Sequence, residues 1–220
     1  MTRDAVKLSG KFVQQRGRLH SPFVEYHHNA THYFGDDCLK LYVVRHGQTE
    51  WNYENRVCGK TDVQLTDTGE KQAEELSKIL HEKQINIIIT SPLFRAVKTA
   101  EILSSAVSKD LVIDNRLIKQ DYGVFEGINR DSENFKEAKR HFPIKLSRGE
   151  SILQVAQRIF NLLDEIKEKY RNQNVLIVTH GGVCRVINAY FNEQTNEEFY
   201  HFHIGNCELK EYEFQWKKNF

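Results

Sequence analysis

The chain has 220 residues, with 31 Lys and Arg against 30 Asp and Glu and a formal net charge of +1. That length favours one domain with a substantial core, and the balanced charge gives no reason to invoke nucleic acid or membrane. No run approaches the ~18 apolar residues needed to span a bilayer. Cys38, Cys58, Cys184 and Cys207 are scattered without metal spacing, and read as free thiols in a reducing, cytoplasmic compartment.

Residues 1–38 hold His20, His27, His28 and His32 among aromatics with no strong period. Lacking tetrahedral ligand spacing, they read as a polar extension rather than a metal site. The stretch is weakly transit-like and has no apolar region for secretion, so the sequon at Asn29 would matter only in a secreted protein. Residues 39–44 form a short β-branched run, a buried strand, ending in Arg45-His46-Gly47. Asp67 and Glu70 suggest a capping box for a helix whose apolar face is Ala73, Leu76 and Leu80. Residues 85–90 (INIIIT) are a second buried strand. Ser91 as N-cap and Pro92 in the first turn then predict a helix to about Val107, with Arg95 in its first turn. A short strand is expected at 111–113. Ile152, Val155, Ile159, Leu162, Ile166 and Tyr170 recur at helical spacing over five turns. Residues 174–179 (NVLIVT) are a third buried strand, ending in His180-Gly181-Gly182 before a helix through Val183, Ile187 and Tyr190. ELKEYEF at 208–214 fits a final edge strand. This alternation predicts an α/β fold, a three-layer α/β/α sandwich with a mostly parallel central sheet.

Three strand-to-helix junctions thus each carry a cationic or potentially cationic group: Arg45 with His46, Arg95, and His180. In open α/β sheets ligands bind at the carboxyl ends of the strands. If the strands are parallel neighbours, these groups converge on one anion site, helped by helix N-terminal N–H groups.

The motifs at these junctions carry a resemblance. RHGQTEWN, GKTDVQLTDTGEKQA at 59–73, SPLFRAVKTAEIL at 91–103 and VTHGGVCRVI at 178–187 match motifs of the histidine phosphatase superfamily in order. DYGVFEG at 121–127 and RGES at 148–151 match two lesser landmarks. The chain therefore resembles that superfamily, whose best-known branch is cofactor-dependent phosphoglycerate mutase, over about residues 39–214. Residues 1–38 fall outside it, leaving 39–220 as the family domain with a phosphoglycerate mutase-like fold. The resemblance implies a phosphatase of small phosphomonoesters in which His46 attacks phosphorus and forms a phosphohistidine. Arg45, Arg95 and His180 would hold the phosphoryl oxygens. Asn52, Thr49, Gly59 and Gly181 are assigned to substrate binding. Neighbouring arginines should hold His46 neutral, but which ring nitrogen is free depends on a hydrogen bond that sequence does not display. No metal and no cofactor is expected, the partner is a small phosphorylated metabolite, and monomer and homodimer are both compatible.

One position departs from the pattern. The family's general acid is a glutamate two residues after a leucine, and here Lys119 stands there, after Leu117. A lysine of pKa ~10.4 is a poor proton shuttle near neutrality. Asp121 or Glu126 could supply the proton instead, although Glu126 reads as a loop-fixing residue. The chain could be restricted to good leaving groups, could be a pseudophosphatase binding phosphorylated ligands, or could carry Lys119 as an introduced substitution. Mutase activity is disfavoured by the short segment between Gly127 and Gly149 and by Lys60, where mutases usually have tryptophan. Lys139, Arg140, Lys145 and Arg148 in that segment suggest a partial, mostly solvated lid.

Overall fold

The computed structural model describes residues 39–215. The amino-terminal histidines, Cys38 and the Asn29 sequon lie outside the described residues, as do 216–220. Five strands form one sheet: β1 (Lys40–Arg45), β2 (Ile85–Thr90), β3 (Leu111–Ile113), β4 (Asn174–Thr179) and β5 (Leu209–Glu213). Their order is β3-β2-β4-β1-β5. All pairings are parallel except that of β5, which runs antiparallel along the β1 edge.

The central strands bury both faces, as strands of a parallel sheet covered on both sides must. Leu41 and Val43 of β1, with Val175 and Ile177 of β4, face a core shared with Val155, Ile159, Leu163, Val183 and Ile187. Tyr42, Val44, Leu176 and Val178 alternate to the other face, against Ala73, Leu76, Leu80, Ala96, Ala100 and Leu103. Helices α5 (Ile152–Lys169) and α6 (Gly181–Phe191) therefore cover one face, and α2 (Asp67–Leu80) and α3 (Phe94–Val107) the other. The α/β/α expectation holds. The remaining short helices are α1 (Glu50–Tyr53), α4 (Glu133–Arg140) and α7 (Asn196–His201).

Two local expectations need correction. The cap of α2 is Thr66, whose hydroxyl accepts the Gly69 N–H, so the Asp67/Glu70 box does not form. Both acids lie instead in the first turn, where they favour the helix dipole. Helix α3 begins at Phe94, not Pro92, and no side chain caps it. Asp62, from the loop before α2, accepts the Phe94 N–H instead, while the Ser91 hydroxyl accepts the Leu93 N–H just ahead of the helix.

A small third cluster, Val57, Tyr122, Phe135 and Leu146, stands apart from the two main cores. It ties α4 and the loops around it into a wall beside the carboxyl ends of β1 and β4.

Candidate active site

The sheet register decides which groups meet. Arg45 pairs with Thr179 across β1 and β4, and Thr90 pairs with Val178 across β2 and β4. The residues just beyond continue the alignment: His46 N–H donates to the Thr179 carbonyl, and Ser91 N–H to the Val178 carbonyl. His46, Ser91 and His180 thus leave the sheet side by side. The two imidazoles stand 5.1 Å apart, centroid to centroid, at 61°. Arg95 reaches the same place from α3, and Thr99 fixes its helix there. The Thr99 hydroxyl accepts the Gly47 N–H and donates to the Arg95 carbonyl.

His46 Nδ1 lies 2.7 Å from its neighbour's carbonyl, Gly47 O. A carbonyl only accepts, so Nδ1 carries the proton and the Nε2 lone pair is free. That is the bond the sequence did not display. Burial, then Arg95 and Arg45, push the His46 pKa well below 6.5 against a smaller opposing pull from the Gly47 bond. Burial, Arg95 and His46 do the same to His180. Both rings are neutral at pH 7.

These depressions have a consequence for stability. A group whose folded pKa is lowered binds fewer protons folded than unfolded. Its contribution is complete above the unfolded imidazole value of ~6.5 and is lost as pH falls toward the folded value. Each ring should cost about 1.4 kcal/mol per pH unit in that window. The midpoint of thermal unfolding should therefore drop steadily below about pH 6.5, and His180→Gln should make the decline shallower. An unchanged slope in that variant would rule out His180 as a contributor.

Arg95 is 1% exposed, and its terminal nitrogens donate to the Thr61 and Gly59 carbonyls at 2.9 and 2.7 Å. Its Nε is buried without a protein partner, as is His180 Nδ1. The other His180 nitrogen, Nε2, lies 2.7 Å from the Ser91 hydroxyl. With Ser91 as donor the ring proton sits on Nδ1, leaving a donor for an incoming oxygen. Ser91→Ala should then shift the His180 tautomer balance, read by nitrogen NMR of the ring. It should also lower kcat/KM by about five-fold, the worth of one neutral hydrogen bond. An unchanged tautomer would remove Ser91 from this role.

A cavity of about 220 Å³ opens beside His46, lined also by Arg45, Asn52, Lys119 and Gly181 among others; Arg95 and His180, expected in the same pocket, do not line it. Arg45 is anchored through the Ile204 carbonyl, and burial lowers its pKa to about 10, so it stays charged. Asn52 Oδ1 is occupied by the Thr49 N–H and Asn206 Nδ2, which leaves its own amide nitrogen for the cavity. Thr49 and Gly59, assigned to substrate binding from sequence, do not line it. Thr49 is fully buried and caps α1 through its hydroxyl. Gly59 holds a loop, donating to Glu126 and accepting from Arg95.

Lys119, expected from sequence at the acid position, lines the cavity. Lys119 is half-buried, with Nζ 5.6 Å from the Tyr122 ring centre and so near α6 that a Cβ on Gly182 would stand 3.0 Å from it. Burial, then Arg45, Arg130 and Arg185, drive its pKa well below 10.5, toward the neutral amine. Asp121 does not line the cavity: it accepts the Gly123 N–H and pairs with Lys60 at 3.2 Å. The Glu126 carboxylate accepts from Gly59, Lys60, Thr61 and Tyr122, a loop-fixing role. Among the described residues, no carboxylate lines the cavity.

Sequence reasoning missed Arg130 and Arg185, which line the cavity with Lys139. Arg185 had a usable signal. It follows Gly181 by four residues on α6 and so shares its face. Of the basic residues given to a lid, Arg140 pairs with Glu197 outside the cavity, and neither Lys145 nor Arg148 lines it. Among the described residues, no group of three or more His, Cys, Asp or Glu could hold a metal ion. No described helix is long and apolar enough to cross a membrane.

Comparisons agree with this geometry. The model of the histidine phosphatase superfamily (branch 1) matches residues 41–219. The chain is 33% identical over 145 residues to the uncharacterized phosphatase PhoE of Bacillus subtilis, covering 66% of this chain and 73% of that one. It is 35% identical over 150 residues to the probable phosphoglycerate mutase GpmB of Escherichia fergusonii, covering 65% and 70%. A mycobacterial glucosyl-3-phosphoglycerate phosphatase, solved as a vanadate complex, superposes with a TM-score of 0.72 at 26% identity, covering 79% and 92%. With its sheet order, its junction residues and its family match in accord, the chain belongs to the histidine phosphatase superfamily, branch 1.

Proposed function

We propose that the protein is a metal-independent phosphatase of small phosphomonoesters, working through a phosphohistidine on His46. The observation that carries this reading is the hydrogen bond from His46 Nδ1 to Gly47 O, which aims an unprotonated Nε2 into a cavity walled by cations. Nε2 attacks phosphorus as the ester P–O bond breaks. Arg45, Arg95 and His180 stabilise the charge spread over the equatorial oxygens. Water then attacks the phosphohistidine and releases inorganic phosphate, returning the imidazole.

Acid quenching during turnover of p-nitrophenyl phosphate should leave phosphate on the peptide containing His46, in an acid-labile, base-stable linkage. Activity should survive exhaustive chelation. Phosphate trapped on another residue, or activity lost on chelation and restored by a metal, would overturn the mechanism.

A second reading, a phospholigand-binding pseudophosphatase, is favoured by one observation: among the described residues the cavity is lined by Lys119 and by no carboxylate. It predicts binding of inorganic phosphate with no turnover of any aryl ester.

A further inference from the structure

Lys119 brings to the cavity a nucleophile that phosphoryl transfer does not use. Among the described residues its Nζ has no hydrogen bond and no ion pair, only the Tyr122 ring with its centre 5.6 Å away. The amine packs against the first turn of α6, where a Cβ on Gly182 would stand 3.0 Å from Nζ. That turn is the positive end of an 11-residue helix, and its leading N–H groups have no partner within the helix.

The charges around this amine have one sign. Arg45, Arg130, Lys139 and Arg185 line the same cavity, and among the described residues no carboxylate does. Arg185 spends Nε and Nη2 on the Phe202 carbonyl and keeps Nη1. Arg130 spends Nε on the Arg56 carbonyl and keeps both terminal nitrogens. In such surroundings an ammonium is repelled, a neutral amine is tolerated and a carboxylate is attracted. Burial, then Arg45, Arg130 and Arg185, hold Lys119 toward the neutral amine, the nucleophilic form of lysine. Lys139 is the weaker nucleophile. It lies over the rings of Phe135 and Tyr200, each at 5.2 Å, and burial lowers its pKa only to about 8, so it stays largely protonated near neutrality.

We propose that Lys119 is a carbamylation site, whose amine takes up carbon dioxide and becomes an N-carboxylate facing the spare donors of Arg130 and Arg185. The Nζ lone pair attacks the carbon of carbon dioxide, an N–C bond forms, and one C=O π pair moves onto oxygen. Nζ then releases one proton to solvent, so amine and carbon dioxide yield carbamate and a proton. No oxidant or further reactant is needed. The product turns an amine among cations into an anion among cations, and gives the cavity a carboxyl group. The modification itself does not depend on turnover. Its consequence rests on the phosphatase reading: a carboxyl group there can pass a proton to the leaving oxygen of an alkyl ester, as the bare amine does not.

The test begins with the full chain in isotopically enriched bicarbonate, followed by carbon NMR. A protein-bound carbamate resonance should appear that Lys119→Gln lacks. Trapping with an alkyl oxonium reagent and peptide mass spectrometry should place the carboxyl group on Lys119. Relative to buffer stripped of carbon dioxide, bicarbonate should raise the ratio of kcat/KM on alkyl over aryl phosphates by about ten-fold or more. The ratio cancels any competition by bicarbonate for the phosphate site, and it should not move in Lys119→Gln. No carbamate resonance, a spectrum unchanged in Lys119→Gln, or trapping on Lys139 alone would overturn the site. A carbamate on Lys119 with an unmoved ratio sustains the site and removes its part in proton transfer. A carbamate on Lys119 in a chain that hydrolyses neither ester sustains the site while the phosphatase reading fails.

Discussion

Replacing His46 by alanine should lower turnover of p-nitrophenyl phosphate by roughly 10⁶-fold, the scale seen when a covalent nucleophile is removed from an otherwise intact site. The imidazole is 5% exposed and fixed at both ends of its residue, by its own N–H to Thr179 and through Nδ1 to Gly47. His180 stands 5.1 Å away, but its Nε2 is committed to Ser91. The arginines would still bind inorganic phosphate, so the variant should lose chemistry and keep affinity. Stability should change little or rise near pH 6, since one depressed imidazole is gone. Steady-state rates, phosphate calorimetry and acid-quench trapping on one preparation check all three. Turnover surviving in His46→Ala would falsify the nucleophile.

Lys119→Glu should raise turnover of alkyl phosphates by about 10²–10⁴-fold, the contribution of a general acid. An aryl oxide departs without a proton; an alkoxide does not. The present chain should accordingly hydrolyse aryl esters far better than alkyl ones, and the variant should narrow that gap. The cavity supplies a second readout. A glutamate there would be attracted by Arg45, Arg130, Arg185 and Arg95, the same groups that add to burial in driving the Lys119 pKa down. Exchanging an amine that resists its charge for an attracted anion should raise the unfolding midpoint of the free protein, while Lys119→Gln should give a smaller rise and no gain on alkyl esters. If Asp121→Asn removes activity while Lys119→Glu changes nothing, the proton comes from Asp121 despite its place against Lys60 and the Gly123 N–H. Equal rates on alkyl and aryl esters in the present chain would sink the missing acid.

What could be read from sequence divides along physical lines. Strand runs such as VLIV and their abrupt basic ends were legible because both sheet faces are buried, which enforces apolar runs, and because strand ends are where function leaves the core. The convergence of Arg45, His46, Arg95 and His180 followed from topology alone. Hydrogen-bond partners were not legible. Ser91 has the composition of a helix cap, but the chain takes another course, and its hydroxyl faces His180. Thr49, beside the RHG motif, looked like a ligand contact and is spent on capping α1. Arg130, Lys139 and Arg185 come from a loop and two helices, where a lone basic residue reads as an ordinary solvated face. Only the absence of nearby carboxylates distinguishes them, and that absence is three-dimensional.

The wall beside the site has its own small core, Val57, Tyr122, Phe135 and Leu146, separate from the two cores that clamp the sheet. A substitution in α4 or its flanking loops is therefore absorbed locally and leaves the strand ends where they are. Over evolutionary time the two halves can drift at different speeds. The phosphate-handling half is constrained by a sheet buried on both faces, while the half that meets the rest of the substrate can be remodelled by a few changes at a time. Laboratory selection for a new ester should accordingly yield mutations within residues 119–149 and 199–204 long before it touches β1 or β4.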